Sequence, residues 1–356
     1  MQIWRRNLVP TDPQRNWFAA WSATGLMPDD RFRLLGPKGE AVPLTPFRLR
    51  PTTWVDAKLM CCFRVPVTAN LGTYTLVIAG VPSGSITLVD KDSRSAPMVA
   101  KGINNVLPPG YDTLYMDCVW DRTSTFTAGG LYLNCEWKGL AYPGLGTTHA
   151  FSTWGTKGPL ALVGCTFDGT DRGPGINLGP DGSIVEPLFY GLTLRNISHI
   201  DGGNELLWVE TRRDPETGVI LYPNSKLIRP ILAAWRCYGN EGDIYIAGPT
   251  EDALIRDVVI DRGNIVAHGD SLRGGIIEDC ELRRGRIVLG DCQNVTVRRC
   301  ALLDRRPTRG NRTYTQAFYY MPAANPAEAA KWNLPQGIAG NGVQWGAKVE
   351  GCYFAN

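Results

Sequence analysis

Apolar and polar side chains alternate in short stretches through most of residues 97–356, and Gly, Asn or Asp separates one stretch from the next. Alternation with a period of two is typical of β-strands, because successive side chains point to opposite faces. Segments 242–246, 263–267 and 285–289 are similar stretches whose first residues are 21 and 22 positions apart. A short strand cannot bury its apolar face alone, so this period predicts coils that stack on one another.

Cysteine recurs at one position of the repeat, with an apolar residue two places later. Three further copies are aligned by a β-branched residue at the cysteine position. The predicted column is Cys118, Cys135, Cys165, Ile197, Ile231, Val258, Cys280, Cys300 and Cys352. The column two places later is Trp120, Trp137, Phe167, His199, Ala233, Ile260, Leu282, Leu302 and Phe354. Both columns are predicted to point inward, and their first members predict an internal aromatic stack.

The positions between these columns and the apolar residue upstream of them are polar and are predicted to point outward. They form an expected exposed ladder of Arg195, Arg229, Arg256, Glu278, Arg298 and Glu350. Stacked cysteines have parallel Cβ directions, which suit a disulfide poorly, so we expect buried free thiols. The chain has no CxxC pair, and Cys61 and Cys62 are predicted to face opposite sides of one strand. No metal site and no cofactor is predicted.

These Cys-centred rungs resemble those of right-handed parallel β-helix proteins, the superfamily of pectin and pectate lyases, polygalacturonases and phage tailspikes. The resemblance covers residues 97–356 and implies an all-β fold with a right-handed single-stranded parallel β-helix. This fold hosts enzymes and inert shafts alike. Polygalacturonases carry paired aspartates, Gly-His-Gly and Arg-x-Lys on adjacent rungs, whereas the nearest match here is Ala267-His268-Gly269. That specific activity is therefore not predicted.

Residues 1–92 have a different pattern. Alternating segments at 25–37, 59–65 and 72–78 predict a small antiparallel β-sandwich similar to Ig-like modules. Asp12 and Pro13 predict the start of a short helix with Trp17 and Trp21 on one face. Residues 90–95 are the predicted linker to the β-helix. The long interval between Cys300 and Cys352 predicts a lateral excursion at 303–341 that contains a short helix over 325–332.

The composition and charge of the chain limit the kinds of partner and the locations that are expected for it. The 37 basic and 34 acidic residues give a net charge of +3, which makes nucleic acid an unlikely partner. No apolar run reaches the roughly 18 residues of a membrane span, and no secretory signal follows Met1. The protein is expected to be part of a virion. If a signal peptide was removed, it is expected to be secreted or periplasmic. An arginine-rich tract over 281–312 predicts either a salt-bridged surface or contact with an anionic partner.

Carboxylates in the longer loops are the candidates for catalysis. Asp168 and Asp171 follow the rung at Cys165, and Asp201 and Glu205 follow the next predicted rung. Glycosidases use two carboxyl groups about 5–9.5 Å apart. The nearby aromatic residues Trp154, Trp208, Trp235 and Tyr238 are predicted to bind glycan. Asp is also an ordinary turn residue at β-helix corners, which would leave these loops without chemistry.

The pattern favours a virion structural protein resembling a phage tailspike or a trimeric capsid-decorating protein. Residues 1–92 would attach to other virion proteins, and the β-helix would project as a homotrimer and bind surface glycan. The alternative is a polysaccharide lyase or glycoside hydrolase that uses paired carboxylates in loops 168–214. A non-catalytic glycan-binding module is a third possibility.

Overall fold

The computed structural model describes the following parts of the chain. They are 1–25, 32–47, 59–90, 99–102, 113–121, 124–125, 128–138, 151–152, 157–169, 176–178, 183–195, 205–209, 217, 226–238, 243–246, 248–267, 272–285, 287–290, 292–303, 318–321 and 348–354. Within these residues, every secondary-structure element is a β-strand.

Residues 99–354 wind into a parallel β-helix with three sheets, each pairing a strand with its counterpart one coil later. The first sheet has 12 strands. They are Val99–Lys101, Leu114–Met116, Ala128–Leu133, Lys157–Val163, Ser183–Val185, Leu188–Tyr190, Lys226–Ile228, Ile231–Ala233, Thr250–Arg256, Leu272–Glu278, Thr296–Arg298 and Lys348–Glu350. The alternating pattern of the sequence therefore predicts the fold class correctly.

The second and third sheets complete each coil, with 9 and 8 strands. The second contains Val119–Trp120, Glu136–Lys138, Thr166–Asp168, Thr193–Arg195, Arg236–Tyr238, Val259–Ile260, Glu281–Arg283, Ala301–Leu303 and Tyr353–Phe354. The third contains Ser124–Thr125, Phe151–Ser152, Ile176–Leu178, Glu205–Val209, Asp243–Ile246, Ile265–Ala267, Ile287–Gly290 and Phe318–Met321. Apart from Leu303 and Phe318–Met321, the predicted excursion at 303–341 lies outside the described residues, including its short helix.

A left-handed residue turns the chain from the first sheet into the second at each coil. These positions, all with positive φ, are Asp117, Asn134, Gly164, Gly191, Ala234, Asp257, Asp279, Arg299 and Gly351. Glycine adopts this conformation without strain, and Asn and Asp tolerate it better than most residues. The following residue points into the tube, which explains why cysteine in this protein so often comes directly after Gly, Asn or Asp.

The register of the inward columns confirms the sequence alignment except at the fourth and fifth copies. Phe167 pairs with Leu194, and Leu194 pairs with Cys237. Leu194 and Cys237 therefore belong to the same column as Phe167. The residues two places before them, Leu192 and Trp235, occupy the cysteine column in these two coils. The predictions of Ile231 for the cysteine column and of Ala233 for the next column were therefore wrong.

The error at the fifth copy has a clear physical cause. Ile231 pairs with Leu188 and Leu254 in the first sheet, and Ala233 belongs to the same strand. The residue before Ile231 is Pro230, whose ring fixes φ near −65° and so excludes the left-handed turn. The predicted fourth-copy residues 197 and 199 lie outside the described residues.

Aromatic rings and thiols fill the tube. Trp120 stacks on Trp137 with ring centroids 4.7 Å apart, and Trp137 stacks on Phe167 at the same distance. The predicted aromatic stack is thereby confirmed. All ten cysteines are free, and every one except Cys352 is buried, as expected. Burial raises the pKa of the Cys61 thiol to about 11, so this thiol stays protonated near neutral pH.

The N-terminal residues form the predicted β-sandwich. One sheet, named here the docking sheet, contains Gln2–Trp4, Trp17–Trp21, Met60–Arg64 and Thr45–Phe47. The other, the outer sheet, contains Asn7–Leu8, Val81–Leu88, Gly72–Ile78, Phe32–Leu35 and Ala41–Val42. Cys61 and Cys62 belong to different core clusters, on opposite faces of their strand. The predicted helix is wrong, because residues 13–16 form turns and a bend, and Trp17–Trp21 is a strand.

The docking sheet packs against the outward face of the first β-helix sheet. One core cluster joins Trp4, Trp17 and Trp21 of the sandwich to apolar residues of the tube. Those tube residues are Leu114, Leu131, Leu133, Ala161, Val163, Leu188, Ile231, Ala233 and Leu254. The sandwich therefore lies along the side of the β-helix and shares a core with it.

Candidate functional site

Asp168, a predicted catalytic residue, ends a strand of the second sheet and is held in an ion pair. Its Oδ2 lies 2.8 Å from Arg195 Nε, on the neighbouring strand. Glu205 begins the strand Glu205–Val209 of the third sheet, so the two residues belong to different sheets. Asp171 and Asp201 lie outside the described residues. The catalytic pair stays a prediction.

The predicted glycan-binding aromatics are placed differently from one another. Trp235 is fully buried in the cysteine column, where its Nε1 donates a hydrogen bond to the carbonyl oxygen of Phe189 at 2.8 Å. Its ring therefore cannot stack on a sugar, and this part of the prediction is wrong. Tyr238 is 48% exposed and lies beside Arg195 in register. Trp208 belongs to a strand of the third sheet, and Trp154 lies outside the described residues.

The predicted outward ladder divides between two structures. Arg256, Glu278, Arg298 and Glu350 share one column of the first sheet, as expected, but Glu278 is buried rather than exposed. Arg195 instead belongs to the second sheet, and Arg229 occupies a turn with positive φ.

The arginines of the basic tract that the structure describes are ion-paired. Arg283, Arg284, Arg298 and Arg299 contact Glu281, Asp261, Glu278 and Asp279 at 2.6–2.9 Å. The hydrogen bond from Arg299 holds the pKa of Asp279 below its ordinary value, because it stabilises the charged form. These contacts favour the salt-bridged surface over an anion-binding one for this part of the tract.

A second column of left-handed residues bends the first sheet and forms a notch along its outward side. Its members are Glu186, Arg229, Asp252, Gly274 and Asn294. At Glu186 the notch is occupied by the sandwich, since Trp21 Nε1 donates to the Glu186 carbonyl oxygen at 2.6 Å. The buried Glu186 carboxylate also pairs with Arg229 Nε at 3.0 Å. The hydrogen bond from Trp21 joins the sandwich to the tube, whereas the Glu186–Arg229 pair lies within the tube.

Three coils later along the same notch, the structure has an open groove of about 510 Å³. Its lining is Glu251, Asp252, Arg273, Gly274, Gly275, Ile276, Asn294 and Thr296. Ile276 also packs against the edge of the cluster beneath the sandwich, so the groove begins where the sandwich ends. This groove was not predicted from the sequence. Its signals there are Gly274-Gly275 inside an otherwise regular strand and the turn-forming residues Asp252 and Asn294.

Within the described residues, no three His, Cys, Asp or Glu side chains lie close enough together to hold a metal ion. No helix there is long and apolar enough to cross a membrane. Comparisons with protein-family models, curated proteins and solved structures found no match for this chain.

Proposed function

We propose that this chain is a non-catalytic structural protein of a virion, resembling a tailspike or a trimeric capsid-decorating protein. The observation that carries the proposal is the shared core between the sandwich and the side of the β-helix. A core that continues from one unit into the other resists bending between them, because any relative motion would open buried apolar surface to water. Such a molecule suits a stiff projecting shaft.

The ion pair at Asp168 supports the non-catalytic role. A nucleophile or general acid needs a carboxyl group that is free to approach the substrate and exchange a proton. Asp168 is held by Arg195 at 2.8 Å, which fixes its position. This is the arrangement expected of a residue that ties one coil to the next.

Attachment to other virion proteins is assigned to the outer sheet of the sandwich and its loops. The docking sheet is already used by the tube, so the opposite side of the sandwich is left for a partner. The exposed apolar residues of the sandwich support this assignment, namely Val67, Leu71 and Val81. In the proposed homotrimer, subunit contacts are made by the exposed faces of the β-helix.

The alternative function is a polysaccharide lyase or glycoside hydrolase acting in loops 168–214. The exposed ring of Tyr238 favours it, because this ring lies beside Arg195 and therefore close to the row that contains Asp168. An aromatic ring next to a charged row is a recognised way to bind sugars.

Two measurements on the full chain decide between these functions. Native mass spectrometry gives the oligomeric state, and a polysaccharide panel tests for new reducing ends or unsaturated products. The proposal expects a trimer without turnover. A monomer that cleaves a polysaccharide, and loses this activity in both Asp168→Asn and Glu205→Gln while remaining folded, would establish the enzyme instead.

A further inference from the structure

We propose that the open groove over Asp252, Gly274 and Asn294 is a binding site for a neutral oligosaccharide. The proposal rests on the non-catalytic role given above, to which it adds the ligand class and the place of contact. The groove lies on the outward side of the first sheet. It is therefore separate from the predicted carboxylates Asp168 and Glu205, which belong to the second and third sheets.

Two glycines let neighbouring parts of the chain pack closely at the floor of the groove. Gly274 has φ +72°, and a Cβ atom there would lie 2.1 Å from Asp252 Oδ1. A Cβ atom at Gly275 would lie 2.5 Å from the carbonyl oxygen of Ala253. Only glycine fits both positions without displacing neighbours, since real Cβ atoms do not approach so closely. The Asp252 carboxylate thus lies directly over Gly274 at the base of the groove.

Three polar side chains of different chemistry line the open space. Asp252 and Asn294 are exposed and Thr296 is half-buried. In the described part of the chain, none of the three side chains forms a hydrogen bond or ion pair within the protein. A carboxylate accepts hydrogen bonds only, whereas an amide and a hydroxyl both donate and accept. Sugar hydroxyl groups also donate and accept, so they match this set.

The remaining lining residues favour a neutral sugar over other ligands. Ile276 is half-buried and offers an apolar patch to the C–H face of a sugar ring. Glu251 is ion-paired with Lys226, and the lining carries the two carboxylates of Glu251 and Asp252 against the one guanidinium of Arg273. Lys226 balances the charge of Glu251 and Arg273 balances that of Asp252, so the groove has no net positive charge to attract a sulfate, phosphate or uronate. The volume of about 510 Å³ lies within the usual range of ligand sites, about 300–1,000 Å³.

The probe is a panel of neutral tri- to hexasaccharides built from hexoses and N-acetylhexosamines, with sulfated and uronic-acid oligosaccharides beside them. The full chain is screened on the panel, and the best ligand is titrated by calorimetry. Asp252→Ala should weaken binding about tenfold or more, because it removes a charged hydrogen-bond acceptor. Asn294→Gly should weaken binding by a smaller factor, and glycine keeps the positive φ of this position without strain.

Asp117→Ala is the matched control. Asp117 also has positive φ, at 54°, and loses the same charge, but it belongs to the other turn column. It should bind like the unmodified chain. The site is overturned if no neutral oligosaccharide binds, if only acidic ones bind, or if Asp252→Ala and Asn294→Gly bind with unchanged affinity. A trimer that binds no sugar refutes the site and keeps the shaft, whereas a sugar-binding monomer keeps the site and refutes the trimer.

Discussion

The outward face of the first sheet has two halves that differ in what lies against them. Beneath the sandwich, one column of this face is apolar: Leu114, Leu131, Ala161, Leu188, Ile231 and Leu254. Beyond the sandwich, the same column continues as Ile276, Thr296 and Lys348. The inward column beside it stays apolar across both halves, with Leu162, Leu232 and Val297 among its members.

The residue types on the two faces of a β-helix strand are therefore determined by different contacts. The inward face is set by the tube alone and is apolar in every coil. The outward face is apolar only where another part of the chain covers it, and it becomes charged where it meets water. Successive strands that are apolar on both faces therefore indicate that another part of the chain covers this side of the β-helix. In the neighbouring outward column, the charged residues Arg256, Glu278 and Arg298 mark the end of the covered flank.

A charge placed under the sandwich should cause the largest loss in the free energy of unfolding. Leu188→Asp should lower the free energy of unfolding by about 4 kcal/mol, because Leu188 is fully buried and the new carboxylate would have no partner. Thr296→Asp makes the same residue in the same column of the open half and should change stability by less than about 0.5 kcal/mol. Chemical denaturation followed by tryptophan fluorescence measures both. Equal effects would contradict the covered flank.

A milder substitution compares the outside of the tube with its inside. Leu131 under the sandwich and Leu282 inside the tube are both fully buried. Leu131→Ala and Leu282→Ala should therefore each cost about 2–5 kcal/mol, through lost burial and a cavity. The midpoints of urea denaturation provide the measurement. A cost near zero for Leu131→Ala alone would show that the sandwich leaves the tube in solution.

The polar contact at the same interface should contribute less. Glu186→Gln removes the charge that pairs with Arg229, and we expect a loss of about 1–3 kcal/mol because Glu186 is buried. Arg283→Ala breaks the Glu281–Arg283 pair of the second sheet, whose side chains are 34% and 50% exposed, and should cost less than about 1 kcal/mol. Thermal unfolding of the two variants gives the ranking, and a larger loss for Arg283→Ala would reverse it.

The smallest effect concerns one titration in the open half. The pKa of Asp279 is lowered chiefly by its hydrogen bond from Arg299, so this carboxylate stays charged below the pH at which an ordinary Asp is protonated. Its stabilising contribution is present above the unfolded pKa, about 3.9, and is lost as pH falls through the lowered value. Arg299→Ala should raise the pKa of Asp279, as followed by ¹³C NMR of the carboxyl carbon. Arg298→Ala should leave it almost unchanged, and equal shifts would contradict this assignment.

The sequence predicted the coils well because their signal is local and repeated. At Cys118, Cys280 and Cys300 a turn residue, an inward thiol and a second inward residue follow one another at fixed spacing. The fourth copy was misplaced because Leu194-Arg195-Asn196-Ile197 imitates this spacing, while the true turn residue is Gly191. Requiring a residue compatible with positive φ would have removed the error at Pro230, though not at Asn196.

The site was harder to predict because it depends on contacts between distant parts of the chain. Nothing near Trp235 in the sequence distinguishes a buried ring from an exposed one, since its burial comes from the register with Leu192 one coil earlier. The docking of Trp21 against Glu186 joins residues that are 165 positions apart. The groove also needs three coils to bring Asp252, Gly274 and Asn294 together, and no local motif records that alignment.

The covered flank makes the molecule mechanically asymmetric. Under tension along the tube axis, a strand such as Lys348–Glu350 can peel from its neighbour after breaking one ladder of hydrogen bonds. A strand such as Leu188–Tyr190 must also separate from the tryptophans that lie across it, so it yields at higher force. We therefore expect the coils beyond the sandwich to unwind at lower force than the coils beneath it.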